Sequence, residues 1–247
     1  MNKLITKLKT SILWISYCFL RNRNSKIIFY HDVHRKRSYT SMSTPIDVFK
    51  AHVAEIKNNN FTIVNQISKP KNQIQIGFDD GFLGIYDNKD YFVKERIFPT
   101  IFLAIELIGK EGYLNEKQII EMQNLGFNFE SHGYSHSNLV LFSDEELQYE
   151  LAESKRFLEK LLQKKITEIC FPIGYFSERV CQQARELGYN KMHSSLPGDY
   201  FNQEWKGVVN RNLVQFSSPK ELKYIIHGAF KPFRFHYKKR QFLTDKH

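Results

Sequence analysis

The chain has 247 residues, 42% hydrophobic and 15% aromatic, which suits one sizeable globular domain. Three cysteines, none grouped as CxxC, argue against a disulfide-stapled scaffold or a thiolate metal site, and no run of eighteen apolar residues offers a membrane-spanning helix. The net charge of +10 sits at the two ends: residues 1–40 carry nine Lys/Arg against one acid, residues 231–247 six against one, and the remainder is slightly acidic. That distribution suits ends held against an anionic surface such as lipid head groups or a charged glycan. Nucleic acid is not expected as a partner, because no recognition helix, RNA-binding aromatic signature or zinc finger accompanies the charge.

In chain order, residues 1–25 form the first segment. Leu4, Leu8, Ile12, Ile15 and Phe19 recur at helical spacing with lysines on other faces. That pattern describes an amphipathic helix, either lying in a membrane interface or packed on the domain. The residues after the apolar run offer no small-residue cleavage site, which favours a cytoplasmic, membrane-associated placement over secretion. Residues 26–31 (KIIFYH) read as a buried strand, and Thr44 with Pro45 as the cap and first position of a helix. Strands follow at 61–65 and 73–78 (QIQIGF), then a helical stretch to Ile97 and an apolar strand at 99–104. Asn115 caps a helix ending at Gly126, 127–131 is a strand, and Ser143 with Glu146 opens a long helix to about Lys164. Further strands are expected at 169–171, near Met192 and over 208–214, with helices from Ser177 to Gly188 and from Ser218–Pro219. Beta–alpha alternation with continuous apolar strands predicts an α/β fold, a distorted (β/α) barrel of about seven parallel strands.

In such a barrel the functional face lies at the carboxyl ends of the strands. Four apolar runs stop there on chemistry-bearing residues: His31, Asp79–Asp80, His132 and the turn Pro172–Gly174. His132 and His136 are four apart, so two imidazoles can face one ion from a single turn of chain. Two imidazoles and a strand-end carboxylate leave open coordination positions, the pattern of a catalytic rather than a structural metal site. Adjacent aspartates would repel in a pocket unless one is neutralised by a cation while the other stays free to accept a proton.

These residues resemble the polysaccharide deacetylases with a NodB-homology domain, carbohydrate esterase family 4, over about residues 26–230. GFDDG (77–81) is similar to that family's first motif, SHGYSH (131–136) to its HxxxH motif and CFPIGY (170–175) to its third. FYHDV (29–33) and FPTIFL (98–103) also resemble segments of its secreted and capsule-associated branch. The resemblance implies a NodB-like barrel that removes N-acetyl groups from amino sugars of a glycan or glycolipid. It implies Asp79 as general base and Asp80, His132 and His136 as ligands of one divalent ion, zinc by default, with cobalt, nickel or manganese fitting similar donors. The oxyanion donor falls on the main-chain N–H of Ile173. The third motif's arginine is replaced by Cys170, and Arg211 resembles a late arginine of some branches that takes its place. The family's late histidine, general acid for the leaving amine, has His227 as its only late candidate, in a predicted helix; His31 is placed to line the pocket or take part in proton transfer. His34, His52, His193, His236 and His247 read as structural or solvent-exposed. Residues 231–247 read as a basic tail. A glycan-binding module without turnover, or a hydrolase of another amide or an ester, remains open on the same scaffold.

Overall fold

The computed structural model describes residues 3–242, with side chains from residue 8 onward; His247 lies outside them. In chain order the elements are α1 (Lys3–Leu20), β1 (Lys26–Tyr30), β2 (Asp32–His34), β3 (Ser43–Pro45), α2 (Ile46–Asn58), β4 (Thr62–Val64) and β5 (Gln73–Phe78). Then come α3 (Gly84–Asp87), α4 (Lys89–Glu95), β6 (Thr100–Leu103), α5 (Glu116–Asn124), β7 (Asn128–Ser131), α6 (Asp144–Leu162) and β8 (Glu168–Cys170). The chain finishes with α7 (Glu178–Glu186), β9 (Lys191–His193), β10 (Val208–Val209), β11 (Arg211–Leu213), α8 (Pro219–Ile226) and α9 (Arg234–Gln241).

The main sheet runs β10-β9-β8-β7-β6-β5-β1-β11, and every pairing in it is parallel. Only Asn210 separates β10 from β11, so the path begins and ends on one stretch of chain and the sheet closes into a barrel. The single strand expected over 208–214 is thereby divided: Val208–Val209 pair with β9, whereas Arg211–Leu213 pair with β1. Asn210 holds the bend by donating from its side-chain nitrogen to the carbonyls of Asp199 and Asn202. The barrel is distorted at β5, which takes β4 along Gln73–Gln75 and β6 along Gly77–Phe78.

Strand alternation assigns the two faces. Ile28, Tyr30, Ile74, Ile76, Phe78, Ile101, Leu103, Phe129, Ile169 and Met192 join the buried cluster shared with the helices. Their neighbours face the barrel interior, which is unusually polar and hydrogen-bonded. Glu168 meets Lys191 at 2.6 Å and His193 at 2.7 Å, and Glu130 accepts from Lys164 and from the Thr167 and Glu168 amides. Burial pushes the Glu168 carboxyl up, but the His193 hydrogen bond and the Lys191 ammonium outweigh it and hold it at about 2.

Helix starts follow local chemistry where a cap is available. Asn115–Gln118, Ser143–Glu146 and Ser218–Glu221 each form a complete capping box. Thr44 does not cap α2: it sits in β3 and its hydroxyl donates instead to the Gln215 carbonyl oxygen, leaving Pro45 at the cap position. The first and last helices among the described residues are both docked. Leu13 and Ser16 of α1 are buried, Thr10 donates to Glu221 at 2.8 Å, and Tyr17 packs on Tyr224 of α8. Of the segment expected as a basic tail, residues 231–241 form a 3-10 turn and α9. Arg234 of α9 donates to the Pro197 carbonyl and to Asn210, and Phe242 packs between Phe176 and Trp205.

Candidate metal centre and catalytic pocket

β5 delivers Asp79 and Asp80 to the carboxyl end of the barrel. The Asp79 amide still pairs with the Tyr30 carbonyl, and the chain then turns sharply through Gly81. Gly81 has φ +76°, and a Cβ there would lie 2.5 Å from Leu103 Cδ2, so both the turn and the packing require glycine. Three non-glycine residues at this end also hold left-handed backbone: Asp80 (φ 71°), His136 (φ 61°) and Ile173 (φ 60°). For a β-branched residue such as Ile173 this conformation is costly, and strained backbone of this kind concentrates at functional sites.

Asp80 Oδ1 lies 3.2 Å from His132 Nε2 and 2.9 Å from His136 Nε2. His132 Nδ1 is 2.8 Å from the Cys170 carbonyl oxygen, which can only accept. His132 therefore donates from Nδ1 and turns its Nε2 toward Asp80 Oδ1, a buried carboxylate oxygen. Two imidazole nitrogens converging on one buried carboxylate oxygen form a donor set that suits a divalent cation. The ligand atoms of Asp80, His132 and His136 all lie within 4.8 Å of one another. Zinc, cobalt, nickel or manganese suits two nitrogens and one carboxylate oxygen.

Asp79 stands beside this cluster without joining the two-histidine contact. Arg211 grips it through two parallel bonds, Nη1 to Oδ1 at 2.7 Å and Nη2 to Oδ2 at 2.8 Å. Burial pushes the Asp79 carboxyl up, but the Arg211 guanidinium more than offsets it and keeps the group below the usual carboxylate range, so it is an anion. The guanidinium itself is fully buried, stacked 4.1 Å from the Phe29 ring centre, with its Nε donating to the Ser194 carbonyl. Its Nη2 also lies 2.9 Å from the Cys170 thiol, so the small side chain at 170 leaves the room into which Arg211 reaches from β11.

His31, Ile173 and Gly174 line the same cavity of about 300 Å³, together with Asp79, Asp80, His132 and His136. His31 follows β1, and its Nδ1 lies 2.7 Å from Gln215 Oε1. Ile173 is 56% exposed at the rim. His227 is not part of this site. It ends α8 at the opposite end of the barrel, where Nδ1 bonds the Lys223 carbonyl and the ring packs against Phe61 and Tyr17. Helix α8 runs from the catalytic end toward the start of β1, which carries its last residue away from the pocket.

Sequence reasoning did not single out Gln215, Tyr237 or Gln241, although Gln215 orients His31 and the other two form a pocket wall. Tyr237 and Gln241 carry one legible sign, a four-residue spacing within HYKKRQ that puts both on one helical face. His34, His52 and His193 bond Ser43, Tyr30 with Ser217, and Glu168, as buried or half-buried structural groups.

Known proteins share parts of this sequence and its fold. Bacillus subtilis (strain 168) YxkH, named for the polysaccharide deacetylases, is 28% identical over 183 residues, which is 70% of this chain and 64% of its own length. The alignment thus spans less than two thirds of that relative. A poly-β-1,6-N-acetyl-D-glucosamine N-deacetylase of Staphylococcus epidermidis is 24% identical over 211 residues, covering 76% of this chain and 73% of its own. The barrel matches a Streptococcus pyogenes deacetylase, PplD, solved with acetate, at a TM-score of 0.72 and 21% identity over 82% of this chain and 98% of that one. Ammonifex degensii IcaB matches at 0.71 and 17% over 84% and 99%. The solved structures establish a NodB-like (β/α) barrel. With the polysaccharide deacetylase model matching residues 66–192, just over half the sequence, this chain belongs to the polysaccharide deacetylase family.

Proposed function

We propose that this protein is a metal-dependent hydrolase that removes N-acetyl groups from amino sugars of a glycan or glycolipid. The observation that carries the reading is the pairing of two unlike aspartates: Asp80 turned to two imidazoles, Asp79 left as an Arg211-gripped anion beside them. The names of relatives acting on poly-N-acetylglucosamine and on peptidoglycan N-acetylglucosamine support this substrate class.

Asp80, His132 and His136 would hold the divalent ion. When bound, the ion supplies Lewis acidity, polarising the acetamide carbonyl and easing loss of a proton from the attacking water. Asp79 accepts that proton; Arg211 fixes the carboxylate plane and leaves each oxygen a second lone pair. The Ile173 main-chain N–H donates to the oxyanion of the tetrahedral intermediate, and its left-handed backbone sets the direction of that donor. His31 takes the place assigned by sequence to His227. Gln215 accepts from its Nδ1–H, which directs Nε2 into the pocket; the imidazolium form, protonated on both nitrogens, gives its Nε2 proton to the leaving amine and is left as the neutral ring. The hydrophobic walls Phe171 and Leu213 suit an acetyl methyl.

The direct test is acetate release from a panel of N-acetylated glycans, with and without a chelator. Release that stops on chelation and returns with zinc, cobalt, nickel or manganese is expected. Chelator-insensitive release would remove the metal role, and release only from acetate esters would reassign the reaction.

We further propose that α1 rests on an anionic membrane surface. Among the described residues no helix is long and apolar enough to cross a membrane. Yet Leu8, Trp14, Ile15 and Phe19 are all at least half exposed; the spacing of Leu8, Ile15 and Phe19 puts these three on the face of α1 turned away from α8, with Trp14 on its flank. Residues 1–31 contain no acid, and five Lys/Arg fall before residue 25, which complements anionic lipid. The double variant Ile15→Glu, Phe19→Glu is expected to lose at least about tenfold in affinity for phosphatidylserine-containing vesicles while keeping its fold. Equal binding by both proteins, or an α1-dependent dimer that ignores vesicles, would overturn the contact.

A further inference from the structure

His132 and His136 share one loop, and the main chain between them decides where the second imidazole points. Two consecutive peptide planes of that loop are each pinned at both ends. The peptide joining Gly133 to Tyr134 accepts at its carbonyl from the Ile105 amide at 3.3 Å and donates from its N–H to Glu150 Oε2 at 3.0 Å. The peptide joining Tyr134 to Ser135 accepts from the Glu106 amide at 2.9 Å and donates to the same Glu150 oxygen at 3.0 Å. We infer that Glu150 is a positioning residue: by gripping these two amides it holds His136 where its imidazole can serve as a ligand, and so sets the affinity of the site for a divalent ion. The inference rests on the metal-dependent reading and adds to it a residue outside the ligand set.

Three observations carry it. First, His136 holds a conformation that its own backbone does not favour. Its φ of 61° lies in the left-handed region, whose cost to a non-glycine residue persists only where the surroundings enforce it. Freed, the residue relaxes to negative φ, and its Nε2 swings away from Asp80 Oδ1, which lies 2.9 Å from it in the folded chain. Second, peptide planes are rigid. A plane anchored at both its carbonyl and its N–H has no rotation left, whereas one anchored at the carbonyl alone can turn about that bond. Glu150 supplies the second anchor to two planes in succession, with a single carboxylate oxygen. Third, Glu150 is itself fixed. It is buried on α6, whose start is set by the Ser143–Glu146 capping box. One turn further along the same face, Ser154 Oγ accepts from the Ser131 hydroxyl at 3.0 Å and lies 3.2 Å from the Tyr189 hydroxyl oxygen. Helix α6 thus holds the chain on both sides of His132, through Ser154 before it and Glu150 after it.

The test titrates cobalt(II) into chelator-stripped protein and follows the visible absorption of the bound ion. Glu150→Ala is expected to weaken cobalt affinity by about 10- to 100-fold, the range for losing a group that orients a metal ligand. Glu150→Gln keeps an oxygen able to accept from both N–H groups and is expected to recover most of that loss. Glu150→Asp, one methylene short of the amides, is expected to resemble the alanine variant and carries the test if that variant does not fold. Leu158 is fully buried about two turns further along α6, and Leu158→Ala is the control for stability alone: it should lower Tm and leave cobalt affinity at the wild-type value. Hydrogen exchange on the metal-free proteins reads the loop without any ion. The Tyr134 and Ser135 amides are expected to exchange faster in Glu150→Ala and Glu150→Asp than in the wild type. Unchanged cobalt affinity in folded Glu150→Ala or Glu150→Asp, or a fall that Leu158→Ala matches, would overturn the role. Faster exchange in these variants, with neither cobalt nor zinc taken up by the wild type, would keep the clamp on the loop and sink the metal reading instead.

Discussion

Asp79→Asn is expected to leave the metal content of the protein at the wild-type stoichiometry while lowering acetate release by about 10²- to 10⁴-fold, the range for removing a positioned general base. Asp80→Ala is expected to lose activity to at least the same degree and the metal with it. The two residues are neighbours, so a difference between the variants cannot be assigned to distance from the substrate. It follows from what each carboxylate faces: Asp80 Oδ1 is within 3.2 Å of both imidazole Nε2 atoms, whereas both oxygens of Asp79 are occupied by Arg211. The Asp79→Asn side chain keeps the shape of the original and can still accept from one Arg211 nitrogen, but it has no charge with which to take a proton. Metal content measured on the purified proteins, beside circular dichroism to establish folding, separates the roles. A metal-replete Asp80→Ala protein would dismiss that residue as a ligand. An Asp79→Asn protein retaining a tenth or more of wild-type turnover would dismiss the base.

The parts of the molecule that were legible in advance are those whose causes are local. QIQIGF is buried throughout, and it forms a strand over the expected residues Gln73–Phe78 because it sits mid-sheet between β1 and β6. Ser143 and Asn115 cap their helices because the matching Glu146 and Gln118 lie three residues on. The barrel followed from alternation, and the family from three short motifs whose spacing survives in the sequence. What was not legible depends on contacts distant in the chain. Thr44 has the makings of a cap but is taken by the Gln215 carbonyl, 171 residues away. The break at Asn210 arises because one segment must pair with β9 on one side and β1 on the other to close the barrel. His227 looked plausible by order in sequence, yet the direction of α8 carries it to the wrong end. Tyr237 and Gln241 belong to a stretch whose charge suggested a solvated tail; its docking rests on Arg234 and Phe242, whose partners Asn210 and Trp205 are remote in sequence.

Arg211→Met should produce the largest stability loss of any single substitution in the pocket. The guanidinium is fully buried, and its removal leaves the Asp79 carboxylate at 3% exposure with no cation against it. Breaking one side of a buried pair in this way costs about 3–5 kcal/mol, which for a chain of this size lowers Tm by roughly 10 °C. Methionine fills much of the space between Phe29 and Phe102, so the loss reports the charge more than a cavity. Turnover should fall with it, because the Asp79 carboxylate then has nothing to hold its plane toward the pocket. The charge argument is separable from packing by combining Arg211→Met with Asp79→Asn, which removes both members of the pair. If the cost is an orphaned anion, the double variant recovers part of the lost stability, since replacing both partners of a buried pair is far less costly than removing one. A double variant no more stable than Arg211→Met alone would mean that the packing of the arginine, and not its charge, holds this end of the barrel together. Arg211→Lys gives the complementary reading: it restores a cation but not the two parallel bonds, so it should recover more stability than turnover.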